Sequence, residues 1–203
     1  MYSLAMSQRV GAPSTPRGRP RDATAKQAVL DAALSLVEFE GITALSIESI
    51  AARSGVSKPT IYRWWTNKAA IVLEALHDVT AASARYPDSG DITTDLRQHC
   101  RQYARLLAGP HGNAYRALFA EAQRDPSVAA SLRDMLIAPR RQQTRIVLQR
   151  AIERGQIKEA IDIEAAIDQL YAPFLYRLLL GHAPLTPRAA DTLVAQALGG
   201  LRP

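Results

Sequence analysis

In 203 residues the sequence has a single cysteine, Cys100. A lone thiol excludes an intrachain disulfide framework and any zinc site built on paired cysteines. The opening MYSLAMSQRV lacks the sustained apolar core of an export signal. The most apolar stretch, 171–185, is interrupted by Arg177 and His182. It falls short of the roughly 20 residues that a bilayer span needs. No useful run alternates with period two, and no internal repeat is visible. His77, His99, His111 and His182 are scattered, with no HExxH pair. A GxSxG elbow, a GxxxxGK loop and a glycine-rich loop after a strand are also missing. Cys100 falls in mid-helix, where no helix N-terminus would activate its thiol. These absences argue against an enzyme and call for no metal and no cofactor. They leave a cytoplasmic protein with no membrane partner.

The chain does carry 47% hydrophobic and 22% charged residues, enough for a sizeable core. A chain of this length hides roughly 70% of its unfolded surface. The 25 Lys and Arg against 19 Asp and Glu give a net charge of +6, which points to a polyanionic partner. Much of that excess lies in the first thirty residues, where Arg9, Arg17, Arg19, Arg21 and Lys26 face only Asp22. Up to Arg21 the chain is rich in Ser, Pro and Gly and has no apolar period. It reads as a flexible basic arm over 1–22.

From about Ala23 the pattern is helical throughout. Val29, Ala33, Leu36 and Val37 form a stripe that Gly41 stops. Ser46 caps a second helix through Ile47, Ile50 and Ala51, and Gly55 breaks it. A short third helix runs from about Lys58 to Trp65, and Asn67 caps a longer fourth. Further helices are expected at 91–108, 113–123, 127–154, 163–181 and 187–199, with Pro139 and Pro173 kinking or splitting two of them. The fold class is all-α. A three-helix bundle over 23–67 leads into a larger regulatory domain over 68–203.

Ile50, Ala51, Gly55, Val56 and Ile61 are the strongest constellation. Two short helices that cross steeply need a small residue at their contact (Ala51). They also need a turn residue that tolerates positive φ (Gly55) and apolar anchors on either side. With Ile61 turned to the core, Trp65 lies close to it, and Pro59 and Arg63 point outward between Thr60 and Tyr62. An outward Arg beside Thr and Pro suits a major groove: Arg can grip guanine O6 and N7, while Thr and Pro pack on a thymine methyl. Tyr62, Lys68 and the first N–H groups of the next helix suit phosphate. Trp64 is open to either packing or a phosphate contact.

The stretch from Ala25 to Leu76, containing GITALSIESIAARSGVSKPTIYRWWTNKAAI, resembles the DNA-binding domain of TetR/AcrR-family transcriptional regulators. The resemblance covers about a quarter of the chain. It implies a three-helix DNA-reading head joined by a fourth helix to an all-α regulatory domain. Such proteins are usually homodimeric repressors released from DNA by a small-molecule effector. Carried over by position, the base and phosphate contacts fall on Lys58, Pro59, Thr60, Tyr62, Arg63 and Lys68, with a phosphate contact at Ser46. Two departures stand out: Leu45 replaces a frequent Thr, and Glu48 occupies a position that is basic in many relatives.

The arm adds a second DNA signal. Pro16, Arg17, Gly18, Arg19, Pro20 and Arg21 resemble an AT-hook, whose extended backbone follows an A·T minor groove. Arg17, Arg19 and Arg21 either reach that groove or bind phosphate nonspecifically. In the larger domain, His99, Cys100 and Tyr103 combine polar atoms with aliphatic neighbours, as a ligand cavity does, and Tyr115, Phe119 and Tyr171 could join them. The same side chains would also serve as ordinary core. Ile167, Leu170, Phe174 and Leu178 make a broad apolar face, and Leu193 and Ala197 a second stripe. Paired with symmetry mates they would form a four-helix dimer interface; the alternative is intramolecular core.

The resulting expectation is a homodimeric repressor that binds a palindromic double-stranded DNA operator and is relieved by a small-molecule effector. An activator or pleiotropic regulator of the same family, or a nonspecific architectural DNA-binding protein, are the alternatives.

Overall fold

A computed structural model describes residues 19–41, 44–81 and 86–201, with side chains from Asp22 onward. Among the described residues every regular element is helical, and none is long and apolar enough to cross a membrane. Helix α1 spans Arg19–Ser35 and widens into a π turn over Leu36–Glu40. It is followed by α2 (Ile47–Ser54), α3 (Lys58–Trp64) and α4 (Lys68–Ala81). The larger domain comprises α5 (Ile92–Ala108), α6 (His111–Ala122), α7 (Pro126–Leu132), α8 (Ala138–Glu153), α9 (Ile163–Leu180) and α10 (Pro187–Gly199).

The helix starts follow from their capping residues. Ser46 and Ser49 form a reciprocal box: Ser46 Oγ accepts from the Ser49 N–H at 3.0 Å, and Ser49 Oγ accepts from the Ser46 N–H at 2.9 Å. Asn67 Oδ1 accepts from the Ala70 N–H at 2.9 Å and opens α4. Asp125, Asp162 and Thr186 cap α7, α9 and α10 in the same way. Each such cap contributes about 1 kcal/mol to its helix.

Two expectations about boundaries are corrected. Helix α1 begins at Arg19, not near Ala23, because Pro20 is compatible with a first helical turn, where its missing N–H costs nothing. The backbone at Arg19 and Arg21 is therefore helical here, not extended as a minor-groove strand requires; Arg17 lies outside the described residues. The single helix expected over 127–154 is α7 and α8 joined by a π turn at Arg133–Ile137. Pro139 accounts for the widening. Its ring crowds the carbonyl four residues back, that of Met135, and it offers that carbonyl no N–H. Pro173, by contrast, leaves α9 unbroken.

Helix α1 packs on α2 and α4, and α3 packs on α2, forming the small head. Helix α4 also lies against α6, α7 and the π turn before α8, so the head and the larger domain share one continuous apolar core. Helix α9 packs on α5, α6, α8 and α10.

Candidate nucleic-acid interface and ligand cavity

Helix α3 is short, and its seating depends on two apolar anchors. Ile61 has no exposed surface and Trp65 has 4%. Trp65 is fixed further by its indole Nε1, which donates to Glu74 Oε2 at 2.6 Å. Glu74 in turn accepts from Lys26 Nζ at 2.9 Å, tying α1 to α4 beneath α3. Gly55 ends α2 at φ 71°, the left-handed conformation that the turn requires. The opposite face of α3 is open: Lys58, Pro59, Tyr62 and Arg63 are exposed, and Thr60 is half-buried. Tyr62 keeps 56% of its surface.

The polar groups of this face differ in how free they are. The Arg63 guanidinium lies 5.5 Å from the centre of the Trp64 ring, and Trp64 itself is half-buried edge-on to Trp65. Lys58 Nζ donates to Glu48 Oε1 at 2.9 Å. That bond holds the Glu48 carboxyl below its usual range and raises the Lys58 ammonium above its own. Thr60 Oγ1 is hydrogen-bonded to Ser57 Oγ at 2.9 Å. Lys68 Nζ donates to the Leu45 carbonyl at 3.0 Å, and the Ser46 hydroxyl is occupied by the capping box. Leu45 itself is core, 3% exposed, which accounts for an apolar side chain at that position.

In the larger domain a cavity of about 380 Å³ opens between α5, α6, α8 and α9. Tyr103, Tyr115, Phe119 and Tyr171, all expected pocket residues, line it together with Leu136 and Arg140. His99 and Cys100 do not. His99 stacks behind Tyr86 at 3.8 Å and contacts the Tyr171 hydroxyl through Nε2 at 3.0 Å. Cys100 is wholly buried, and burial pushes its thiol up to about 12. Tyr171 is similarly raised, to about 12, by burial first and then by the nearby Cys100. Both groups are neutral at physiological pH.

Arg140 lines the cavity too, although the sequence pattern did not single it out. Its position in sequence carries a signal: Leu136, Arg140, Thr144, Val147 and Ala151 recur at helical spacing. The stripe is otherwise buried, so a cation within it marks an interior charge.

The expected dimer residues divide as well. Ile167, Leu170, Phe174 and Leu178 are at most 3% exposed within one chain, so they form core there. They sit on the face of α9 that meets α5, α6 and α8, which is broad enough to cover them. Leu193 and Ala197 are half-buried beside a surface groove between α9 and α10, where Ala172 and Tyr176 are exposed.

Two links join the head to the cavity walls. The His77 ring on α4 donates from Nδ1 to the Met135 carbonyl at 3.0 Å, the same carbonyl that Pro139 cannot serve. At the start of α6, His111 Nδ1 hydrogen-bonds Glu38 in the π turn after α1, and Asn113 Nδ2 donates to the Glu38 carbonyl at 3.1 Å.

Comparison with known proteins places both parts. Residues 29–75 match the family model of bacterial regulatory proteins, tetR family, and residues 86–197 match that of the tetracyclin repressor-like C-terminal domain. The chain is 35% identical to the uncharacterized HTH-type transcriptional regulator YdeS of Bacillus subtilis (strain 168), over 92% of this chain and 94% of that protein. It is 30% identical to the DNA-binding transcriptional repressor TetR of Mycobacteroides abscessus, over 88% of this chain and 94% of the relative. Among solved structures, the TetR family transcription regulator SCO0332 superposes with a TM-score of 0.74 at 32% identity. That match covers 88% of this chain and 99% of the other.

Proposed function

The chain belongs to the TetR family of transcriptional regulators, and from that premise we propose that it is a homodimeric repressor released from its operator by a small molecule. One observation carries the reading: α3 turns Ile61 and Trp65 inward and leaves Pro59, Tyr62 and Arg63 exposed on a ridge. Such a ridge enters a major groove, where Arg63 would read a base and Tyr62 would meet the backbone. Lys58, Thr60, Lys68 and Ser46 lie around it, each holding an internal partner that phosphate would have to replace or share. Arg17 precedes the head and Arg19 and Arg21 lie in the first turn of α1, and all three would add phosphate contacts.

The groove between α9 and α10, with Ala172, Tyr176, Leu193 and Ala197, is the surface on which a second copy would pack. Two heads joined there would address half-sites about 34–36 Å apart or a multiple of it. The cavity supplies the switch. Its α6 wall hydrogen-bonds the end of α1, and the turn leading into its α8 wall accepts from His77 on α4. A ligand that favours one arrangement of these walls would thereby favour one spacing of the heads, and DNA would weaken ligand binding by the same factor.

Selection of bound fragments from a random duplex pool with the purified chain tests the reading. The expected result is a palindromic consensus and a dimer mass by light scattering. Binding without sequence preference would replace the repressor by an architectural DNA-binding protein.

A further inference from the structure

We propose that the cavity takes a monoanionic, mainly apolar carboxylic acid, with its carboxylate on the Arg140 guanidinium and its hydrocarbon or aryl body against Tyr103, Phe119 and Leu136. The proposal rests on the cavity being the effector site and names the chemical class that fills it.

The argument starts from an unbalanced charge. Arg140 projects from the apolar stripe of α8 into a cavity walled mainly by aromatic and aliphatic side chains, with Arg141 and Asp168 paired to each other at its edge. Its guanidinium sits 4.2 Å from the centre of the Tyr103 ring and 5.8 Å from that of Tyr171. One η nitrogen donates to the Tyr115 hydroxyl at 3.2 Å, and Nε is buried with no hydrogen-bond partner. Among the described residues no carboxylate pairs with it. The acidic group at the cavity edge, Asp168, is bonded instead to Arg141, which also holds Glu164. An arginine cannot shed its proton to escape such a site. A half-buried cation whose Nε is shut off from water and which has no counter-ion costs folding free energy, and a chain that keeps one has a use for it.

The surroundings narrow the anion. Of the two arginines that line the cavity, Arg141 is already held by Asp168 and Glu164. Arg140 is left as the one without a carboxylate, so a monoanion balances it where a phosphate monoester, with nearly two charges, would not. A carboxylate matches the planar fork of a guanidinium and can take two parallel N–H bonds. Because the Tyr115 hydroxyl accepts from Arg140, its own proton is free to donate to the same carboxylate. The rest of the wall offers aromatic faces and methyl groups, and the volume of about 380 Å³ is at the small end of ligand pockets. Those properties fit a short fatty acid or an aryl-alkanoic acid.

The test uses matched probes on the full-length chain. Decanoate and 4-phenylbutyrate are titrated calorimetrically against decanamide and 4-phenylbutyramide, with wild type, Arg140→Met and Arg140→Lys. The acids are expected to bind wild type about tenfold or more tightly than their amides, and R140M should lose that difference while R140K retains part of it. Thermal melting of the ligand-free proteins keeps the comparison interpretable: R140M should still unfold in one cooperative transition, the lost Tyr115 hydrogen bond and Tyr103 stacking being offset by removal of the unpaired charge. Absence of saturable acid binding, equal binding of acid and amide, or unchanged discrimination in R140M would each overturn the proposal. A parallel DNA-release assay on the selected operator separates the two readings. Acids that bind through Arg140 but leave DNA occupancy unchanged would retain the acid site and sink the effector-relieved repressor. Release by amides as readily as by acids would do the reverse.

Discussion

The head and the regulatory domain place their cations in opposite settings. On the head they stand at the surface, where Lys26, Arg53 and Lys58 each hold a carboxylate and Arg63 is exposed at the crest of α3. In the regulatory domain Arg140 is enclosed by tyrosines, with no carboxylate beside it among the described residues. The difference is the one that the two proposed partners would call for. A duplex brings a dense array of phosphates, so many weak, hydrated contacts suffice and none need be buried. A small molecule brings one charge, and selecting it requires a dry enclosure in which a single cation counts for much more.

The comparison breaks most sharply at α9, whose apolar face could have belonged to either an interior or a partner. Phe174 has no exposed surface, so Phe174→Ala should destabilise the fold itself by about 3–5 kcal/mol in urea denaturation. Tyr176→Glu, on the exposed face of the same helix, should leave the fold nearly intact and weaken association. If F174A instead dissociated the dimer at unchanged unfolding free energy, the face would be an interface after all. At the crest of α3, Arg63→Ala should cost about 1–3 kcal/mol of operator binding and relax base preference at one position. Its melting temperature should stay within error of wild type, since an exposed side chain away from caps and core changes stability by roughly 0.5 kcal/mol or less. Uniform weakening across all sequences would make Arg63 a phosphate clamp.

The head was largely legible in the sequence because its constraints are local. Gly55, the anchors Ile50, Val56 and Ile61, and the caps Ser46 and Asn67 act within a few residues of one another, and each is found in its expected role. The cavity was half legible. Tyr103, Tyr115, Phe119 and Tyr171 converge from three helices, α5, α6 and α9, but no spacing along the chain encodes that convergence. Arg140 was visible only as a charge in the wrong stripe, a signal that depends on knowing the stripe is buried. The division of α9 between core and surface was illegible for a similar reason. Periodicity shows that α9 is apolar on one side, yet not whether α5, α6 and α8 are close enough to cover it.

In a repressor released by an effector the two regions must communicate, and His77 offers a way to sharpen how. Its bond to the Met135 carbonyl spans from the head-bearing α4 to the turn that Pro139 forces open next to Leu136 and Arg140. His77→Ala removes the donor and leaves that carbonyl to solvent or to the widened turn. Effector and operator affinities measured separately should change little, whereas the factor by which one weakens the other should fall, by about 0.5–2 kcal/mol of coupling. Unchanged coupling would shift the burden to the Glu38 contacts with His111 and Asn113.

The smallest effect concerns Glu48, an acidic residue bonded to Lys58 on the exposed face of α3. Glu48 and Lys58 are both largely exposed, with side-chain exposures of 65% and 51%, and their bond competes directly with phosphate for the lysine. Because that bond lowers the Glu48 carboxyl, the residue stays ionised at neutral pH and the competition persists there. Glu48→Gln keeps the side-chain shape and removes the charge, so Lys58 becomes available to DNA. Affinity should rise a few-fold at low salt, equally for operator and random duplex. The slope of log K against log salt should steepen by about 0.9, the increment for one added phosphate contact. A gain confined to operator would instead place Glu48 at a base edge, and no gain would mean that phosphate already displaces it in the wild-type complex.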